Sequence, residues 1–256
     1  MLKVIYTDID QFSNDDIKSL LPHLSEERRL FALQLKNEKR MRESVVSEAL
    51  ARVGLALAAR EFARAGALEC NAEDVKASDF EILRKEGGKP YQTTVPGLFF
   101  NVSHSGRFCL FAASDSEVGV DIERVGRIKP KNVEAFLSKN ELTIYDRFTK
   151  EEDKSLVATK YWCRKEAHVK RLGIGLRMRP KYIDTVGLPN VFSQFLWDPL
   201  VPAVEWLDGD INGEYCYSIC QKKINLGIDK TDRIAQCRLT LNFIKTQDIV
   251  VELEKS

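Results

Sequence analysis

The chain has 256 residues, enough for one large domain or two small ones with a proper core. Hydrophobic residues make up 44% and charged residues 30% of the sequence, which is typical of a soluble globular protein. The 39 basic and 38 acidic residues nearly cancel, which argues against a protein that binds nucleic acid through bulk positive charge. No apolar run reaches the roughly 18 residues of a membrane span, so we expect no membrane insertion.

The six cysteines form no C-x-x-C pair, and neither a second pair nor a histidine pair accompanies Cys216 and Cys220. We therefore predict no zinc site. Several cysteines lie in apolar runs, as free thiols of a protein core do. The N-terminus lacks the long apolar region of a signal peptide. Together these features favour a reduced, cytoplasmic protein.

The N-terminal part of the chain alternates strand and helix patterns. Ser25, which is followed by two acids, has the features of a helix N-cap, and the alanine- and leucine-rich stretch 44–65 predicts a long buried helix. Glycines and a proline around Lys89 predict a turn that lets backbone approach a flat ligand closely. Strands are predicted over residues 2–9, 79–84 and 98–102.

A hairpin is predicted between residues 108–113 and 117–122, across Ser114-Asp115-Ser116. Helical patterns follow around residues 133–139, 151–160 and 162–170. Further strands are predicted over 191–197, 203–207 and 215–220, with turns at 208–210 and 212–213, and period-two apolar spacing at 235–243 predicts one or two extra strands.

Two charged patterns point to chemistry. Asp121 and Glu123 are two residues apart in a strand pattern, so both side chains point to the same face. Glu166 and Lys170 are four residues apart in a helical pattern and share a helix face. If this helix packs near the strand, three carboxylates and a lysine converge. Such a set suits Mg²⁺ completed by phosphate oxygens, and the lysine suits a phosphate.

Each pattern also has an ordinary interpretation. Acids at i and i+2 are usually a solvated strand face, and a Glu/Lys pair at i and i+4 is usually a surface ion pair worth a few tenths of a kcal/mol. The apolar run 118–125 favours the functional interpretation, because two adjacent anions there are costly without a cation. His104 follows a predicted strand among small polar residues, where donors to an anion are commonly placed, although a lone histidine is more often structural.

Four motifs in order resemble those of the 4′-phosphopantetheinyl transferase superfamily, in its longer, Sfp-type members. They are Gly88-Lys89-Pro90, Asn101-Val102-Ser103-His104-Ser105-Gly106, Gly119-Val120-Asp121-Ile122-Glu123 and Trp162-x-x-Lys165-Glu166-Ala167-x-x-Lys170. The resemblance spans about residues 1–222.

The resemblance implies a Mg²⁺-dependent enzyme that moves 4′-phosphopantetheine from coenzyme A to a serine hydroxyl of an apo acyl or peptidyl carrier protein and releases 3′,5′-ADP. Asp121, Glu123 and Glu166 would hold Mg²⁺ against the pyrophosphate. Lys170 would stabilise charge that develops on the phosphoryl oxygens. Glu166 or a metal-bound water would take the serine proton.

The resemblance also implies contacts with coenzyme A. In the family, a basic residue near the start of the long helix binds the 3′-phosphate, and Arg42 is the candidate because Glu43 stands where an arginine is expected. Lys165 would brace the site or contact a phosphate. The residues assigned to coenzyme A are Arg42, Lys89, Pro90, Ser103, His104, Lys165 and Lys170.

The fold that the resemblance implies is α+β, a pseudo-two-fold pair of similar α+β halves with the active site in the cleft between them. Residues 1–118 would form the N-terminal half, on the side of the coenzyme A adenine and 3′-phosphate. Residues 119–222 would form the C-terminal half, with the metal and the catalytic helix, and 223–256 an extension of extra strands. Because one chain holds both halves, we expect a monomer.

Two other function classes remain open. A Mg²⁺-dependent nucleotide or diphosphate hydrolase could use the same carboxylates without any carrier protein. A non-catalytic relative that binds coenzyme A would be favoured if one of the four charged residues were missing, and all four are present.

Overall fold

The computed structural model describes residues 1–85, 88–174, 178–186, 204–222 and 241–255. The helices are α1 (Asn14–Leu20), α2 (Glu26–Gln34), α3 (Glu38–Arg64), α4 (Lys139–Tyr145), α5 (Glu151–Leu172) and α6 (Thr246–Glu254). The strands are β1 (Leu2–Asp8), β2 (Ile82–Arg84), β3 (Pro90–Gln92), β4 (Phe99–Ser105), β5 (Phe108–Ser114), β6 (Gly119–Arg124), β7 (Val204–Ile211), β8 (Tyr215–Lys222) and β9 (Asn242–Phe243). This mixture of helices and strands confirms the predicted α+β class.

In the described part of the chain, the strands form a four-stranded sheet of order β4–β5–β1–β9 and a three-stranded sheet of order β6–β8–β7, while β2 pairs with β3. The hairpin predicted between residues 108–113 and 117–122 is wrong. Every residue of β5 is buried, and this strand lies between β1 and β4, whereas β6 pairs with β8. The tight turn is instead at Gly106, whose φ of 60° lets β4 and β5 form the hairpin.

Helix α3 runs along the four-stranded sheet and supplies much of the core. It begins at Glu38, earlier than the pattern predicts, because the Asn37 side chain caps it by accepting a hydrogen bond from the Arg40 amide at 3.0 Å. Ser25 caps α2 as predicted. Leu50 and Leu55 of α3 are fully buried in a cluster that also holds strand residues of this sheet.

The described part of the C-terminal extension returns to this same sheet. Strand β9 pairs in parallel with β1, and α6 buries Ile249 and Leu253 in the core that contains α3. Arg60 on α3 forms an ion pair of 2.5 Å with Glu252 on α6. The period-two pattern does not predict α6, and most of that pattern, up to residue 240, lies outside the described residues.

The three-stranded sheet packs against α5, which is one continuous helix where two helical patterns were predicted. The turn predicted at 208–210 is wrong, because β7 runs straight through it. Gly209 is there to allow close packing, since a Cβ would meet the ring of Tyr217. The turn predicted at 212–213 is present, where Asn212 and Gly213 both have positive φ. The strand predicted over 191–197 lies outside the described residues. None of the described helices is long and apolar enough to cross a membrane.

Candidate active site

A row of side chains on β4 joins the two larger sheets. Among the strands that the structure describes, β6 lies at the edge of its sheet, so alternate backbone N–H groups have no partner in those strands. Side chains at every second position of β4 accept hydrogen bonds from these groups. The pairs are Asn101 with Val120, Ser103 with Ile122 and Ser105 with Arg124, at 2.9, 3.4 and 3.2 Å.

The two acids of β6 are buried beside this row. Asp121 accepts hydrogen bonds at Oδ1 from the Ser103 hydroxyl at 2.9 Å and from the Lys170 ammonium at 2.6 Å. Lys170 also donates to the Ser103 hydroxyl at 2.8 Å. Glu123 accepts from the Ser105 hydroxyl and forms an ion pair of 3.2 Å with Arg127. Each acid is therefore already partnered in the protein alone.

Gly119 lets α5 approach β6 closely. A Cβ at this position would run into backbone atoms of Ala167 and Arg171, so any other residue would hold the helix away from the strand. This close approach brings Lys170 and Glu166 of α5 to Asp121. The strand and the helix therefore lie together and Lys170 contacts Asp121, whereas the third predicted carboxylate, Glu123, contacts Ser105 and Arg127.

Glu166 is half-buried and has no hydrogen bond or ion pair with any described residue. Burial raises the pKa of its carboxyl, and the nearby charge of Asp121 raises it further, while Lys170 opposes both effects. A carboxylate in this state suits either a cation or a proton that it accepts from another group.

The three predicted metal ligands do not form a ready-made metal site. Within the described ranges, no three His, Cys, Asp or Glu side chains are grouped closely enough to hold a metal ion. Lys170 lies against Asp121, and Glu123 is held by Ser105 and Arg127. The donor chemistry nevertheless fits a hard divalent cation, because Glu166 and Asp121 offer carboxylate oxygens whose mutual repulsion a cation would relieve.

A cavity of about 580 Å³ adjoins Glu166 and Lys170. Its wall comes from α2 and α3 on one side and from α5 on the other, which is a volume and setting suited to a small-molecule ligand. Among its lining residues are Arg28, Phe31, Arg40, Glu43, Arg84, Lys89, Pro90, His104, Glu166, Lys170, Met178 and Pro180.

The arginines that line the cavity are not the one predicted to bind a phosphate. Arg42 is not among the lining residues, because its guanidinium donates to the carbonyl oxygen of Phe12 and to Asn14 Oδ1, the latter at 2.8 Å. The prediction that Arg42 binds a phosphate is therefore not supported. Arg40 lines the cavity instead and is exposed, with no side-chain partner among the described residues.

Arg28 and Arg84 also line the cavity, and the guanidinium of Arg28 lies over the ring of Phe31 at 5.5 Å from its centroid. Sequence reasoning missed these residues. Phe31 stands three residues after Arg28 in the helical pattern, so the two share a helix face, and this pairing of an aromatic residue with a cation is the sequence signal that could have found Arg28.

The predicted coenzyme-binding residues Lys89, Pro90 and His104 line the cavity, but the Lys89 ammonium points into protein. It donates to the Arg171 carbonyl at 2.7 Å and forms an ion pair of 2.6 Å with Glu117. Burial lowers the pKa of Lys89, and Glu117 opposes this effect. Part of the Lys89 side chain therefore lines the cavity, but its ammonium charge is already neutralised by Glu117.

His104 lies in the cavity wall with Nδ1 3.9 Å from the Glu43 carboxylate. Burial lowers the pKa of the imidazole, and the charge of Glu43 opposes that shift. Ser103, also predicted to contact the coenzyme, is buried and bonds Asp121 and Lys170 instead.

Lys165 follows the helix next to Glu166 but is not among the residues that line the cavity. It is fully buried, and its ammonium contacts Glu141 at 2.7 Å and the carbonyl oxygens of Pro180 and Ile183. The phosphate contact predicted for Lys165 is therefore wrong, and the geometry fits the alternative prediction that it braces the site.

Comparison with known proteins agrees with the motifs. Residues 117–228, which include β6 and α5, match the family model of the 4′-phosphopantetheinyl transferase superfamily. The 4′-phosphopantetheinyl transferase Sfp of Bacillus subtilis (strain 168) is 34% identical over 105 residues, which are 40% of this chain and 45% of that protein. A 4′-phosphopantetheinyl transferase of Bacillus subtilis is 31% identical over 152 residues, 53% of this chain and 60% of that protein. The 4′-phosphopantetheinyl transferase gsp of Aneurinibacillus migulanus is 34% identical over 95 residues, 36% of this chain and 38% of that protein.

The matches span about half the length of these curated relatives. The resemblance to Sfp-type 4′-phosphopantetheinyl transferases predicted from the sequence is confirmed, and the segment that carries it holds Asp121, Glu123, Glu166 and Lys170.

Proposed function

We propose that the protein is a 4′-phosphopantetheinyl transferase. It would move phosphopantetheine from coenzyme A to a serine hydroxyl of an apo acyl or peptidyl carrier protein and release 3′,5′-ADP. The observation that carries the proposal is the convergence of Asp121, Glu166 and Lys170 beside a cavity of about 580 Å³, within the segment that matches the family.

Coenzyme A would occupy this cavity. Arg40 is exposed in the wall without a side-chain partner among the described residues, so it replaces Arg42 as the candidate for the 3′-phosphate. The ring of Phe31 offers an apolar face on which adenine can stack, and Pro90 adds a second apolar surface. His104 faces the same space and would donate a hydrogen bond to a phosphate.

Asp121, Glu123 and Glu166 would hold Mg²⁺, which supplies charge neutralisation for the pyrophosphate when it is bound. Glu123 would have to leave its ion pair with Arg127 to take part. The ammonium of Lys170 would leave Asp121 for the phosphoryl oxygens, where negative charge develops.

The protein side chains then position the reactants. Displacement at phosphorus requires alignment and charge neutralisation more than covalent help from the enzyme. Glu166 would offer one carboxylate oxygen to Mg²⁺ and the other to the serine proton, because no described residue forms a hydrogen bond or ion pair with its carboxylate. Ser103, whose hydroxyl donates to Asp121 Oδ1 at 2.9 Å, would keep this carboxylate in place when Lys170 turns to the phosphoryl oxygens.

We also propose the division into halves, 1–118 and 119–222, with the cavity in the cleft between them. The lining residues support this division, since Arg40 and His104 come from the first half and Glu166 and Lys170 from the second. The proposed enzyme is a cytoplasmic monomer that requires neither nucleic acid nor a membrane.

Three conservative variants test the assignment of the site: Asp121→Asn, Glu166→Gln and Lys170→Met. Each should lower the rate of phosphopantetheine transfer by at least about a hundredfold, because each removes a charge that acts on the reacting groups. Glu61→Gln is the matched control, since its ion pair with Lys3 at 2.6 Å is on α3 outside the cavity wall. Transfer at the control's rate by any of the three variants would contradict the role given to that residue.

A further inference from the structure

An ion pair with both side chains fully buried joins α5 to α4. Lys165 of α5 and Glu141 of α4 are 2.7 Å apart, and each side chain has an exposed fraction of 0%. Lys165 also donates to the carbonyl oxygens of Pro180, at 3.0 Å, and Ile183. The remaining oxygen of Glu141 accepts from the backbone amide and the hydroxyl of Thr185 at 3.0 and 2.8 Å.

These contacts converge on the segment that follows α5. In the segment 178–185, two carbonyl oxygens accept hydrogen bonds from Lys165, and Thr185 donates two hydrogen bonds to Glu141. Both members of the ion pair therefore hold this segment. The segment also builds the cavity, because Met178 and Pro180 lie in its wall. Lys165 of α5 thus contacts this segment, while the next residue, Glu166, lines the same cavity.

Stability alone is a weak reason for such a pair. Two buried charges lose their hydration, and their attraction offsets this loss only when the remaining polar atoms are also satisfied. Burial accordingly lowers the pKa of Lys165, while Glu141 opposes the shift. Replacement of a buried ion pair by well-packed hydrophobic residues of similar volume often leaves the free energy of unfolding unchanged or raises it. What the ion pair supplies here is a defined position for the carbonyl groups of Pro180 and Ile183.

We propose that Lys165 and Glu141 are positioning residues that fix the 178–185 segment as a wall of the ligand cavity. This inference rests on the proposed function, in which coenzyme A fills the cavity. The pair acts through Met178 and Pro180 and touches neither the coenzyme nor the reacting atoms. Its loss weakens coenzyme binding more than it slows the transfer step.

Lys165→Met alone cannot test this inference, because it leaves the Glu141 charge buried without its partner and the fold suffers. Glu141→Gln combined with Lys165→Met removes both charges. Glutamine keeps one oxygen that can accept from Thr185, whereas the Ser138 amide, which donates to the other Glu141 oxygen at 2.8 Å in the capping box of α4, loses its acceptor.

We expect this double variant to unfold at a lower urea concentration than wild type but to stay folded without urea, because buried carbonyl and amide groups lose partners. It should bind coenzyme A at least about tenfold more weakly by calorimetry, with KM rising more than kcat falls. Lys3→Met with Glu61→Gln neutralises a surface pair as the control.

A second measurement does not depend on the ligand. The amides of Tyr182 and Ile183 are hydrogen-bonded to the carbonyl oxygens of Arg179 and Pro180, so loosening of the segment accelerates their hydrogen exchange. Faster exchange there in the double variant, with the rest of the chain unchanged, supports the inference. Wild-type exchange or wild-type affinity in the stably folded double variant overturns it. If the unmodified protein itself fails to bind coenzyme A, the proposed function fails, and the exchange result still decides whether the pair fixes the segment.

Discussion

Gly119→Ala should separate β6 from α5 and disable the site. A Cβ at Gly119 would lie 2.8 Å from the Arg171 Cα and nearer still to the Ala167 carbonyl oxygen, and neither backbone atom can move by side-chain rotation. Relief requires the strand and the helix to part by roughly 1 Å. Because β6 carries Asp121 and α5 carries Lys170, this displacement breaks their contact of 2.6 Å.

Overpacking of this kind costs about 1–3 kcal/mol in free energy of unfolding. A misplacement of about 1 Å at reacting groups costs about a hundredfold in rate. We therefore expect a lower urea midpoint for Gly119→Ala, together with roughly a hundredfold lower kcat/KM for phosphopantetheine transfer, followed by intact-mass time courses.

Gly54→Ala is the matched control for this variant. Its Cβ would lie 2.6 and 2.8 Å from two carbons of the Phe111 ring in the N-terminal core, so stability should fall while transfer per folded molecule stays near wild type. Wild-type stability and transfer in Gly119→Ala would refute the reasoning. An equal loss of transfer in Gly54→Ala would show that general destabilisation, not separation of β6 from α5, explains the effect.

Burial of individual side chains leads to three further predictions. Leu253→Ala on α6 should lower the free energy of unfolding by about 2–5 kcal/mol in urea titrations, because the side chain is fully buried, and a smaller loss would contradict the packing of α6. Burial raises the pKa of Cys109 to about 12, so at pH 8 iodoacetamide should leave it unmodified in the folded protein while half-exposed Cys70 reacts, as digestion and mass spectrometry would show. Burial and the charge of Asp121 raise the pKa of Glu166 in the metal-free protein, so Mg²⁺ binding, which requires the ionised carboxylate, should weaken as the pH falls through a value above the ordinary 4.5, as calorimetric titration with Mg²⁺ would show, and binding that weakens only at or below 4.5 would contradict Glu166 as a ligand.

Local spacing predicted the parts of the site that depend on a single element. The period of two placed Asp121 and Glu123 together on a strand, and the period of 3.6 placed Glu166 and Lys170 together on a helix. Both rules concern neighbours along the chain, so no knowledge of the fold is needed. Gly119 allows the close approach of strand and helix, and this glycine belongs to the motif that indicated the site.

Strand pairing was harder to predict, because apolar alternation shows which face of a strand is buried but not which strand lies beside it. The sequence pattern of β5 does not distinguish β6, the predicted partner, from β1 and β4, the strands with which β5 pairs. Helix α6 escaped prediction for a similar reason, since its pairing of Ile249 and Leu253 with the distant helix α3 is a tertiary contact.

Individual side chains near the site were misassigned where residues close together in a helix point in different directions and contact different parts of the protein. Arg40 and Arg42 are two residues apart on α3, so they point in different directions, and only Arg40 reaches the cavity. Lys165 and Glu166 are adjacent on α5, yet the first is buried against Glu141 and the second faces the cavity. Such choices depend on how the helix is rotated against its neighbours, which motif order does not specify.

The most direct test of the proposed function is the intact mass of an apo carrier protein after incubation with this protein, coenzyme A and Mg²⁺. We predict a mass increase of one phosphopantetheine group and equimolar 3′,5′-ADP, both abolished by EDTA and by Asp121→Asn. Coenzyme A that is consumed while several carrier proteins keep their mass would contradict the account and identify a hydrolase instead.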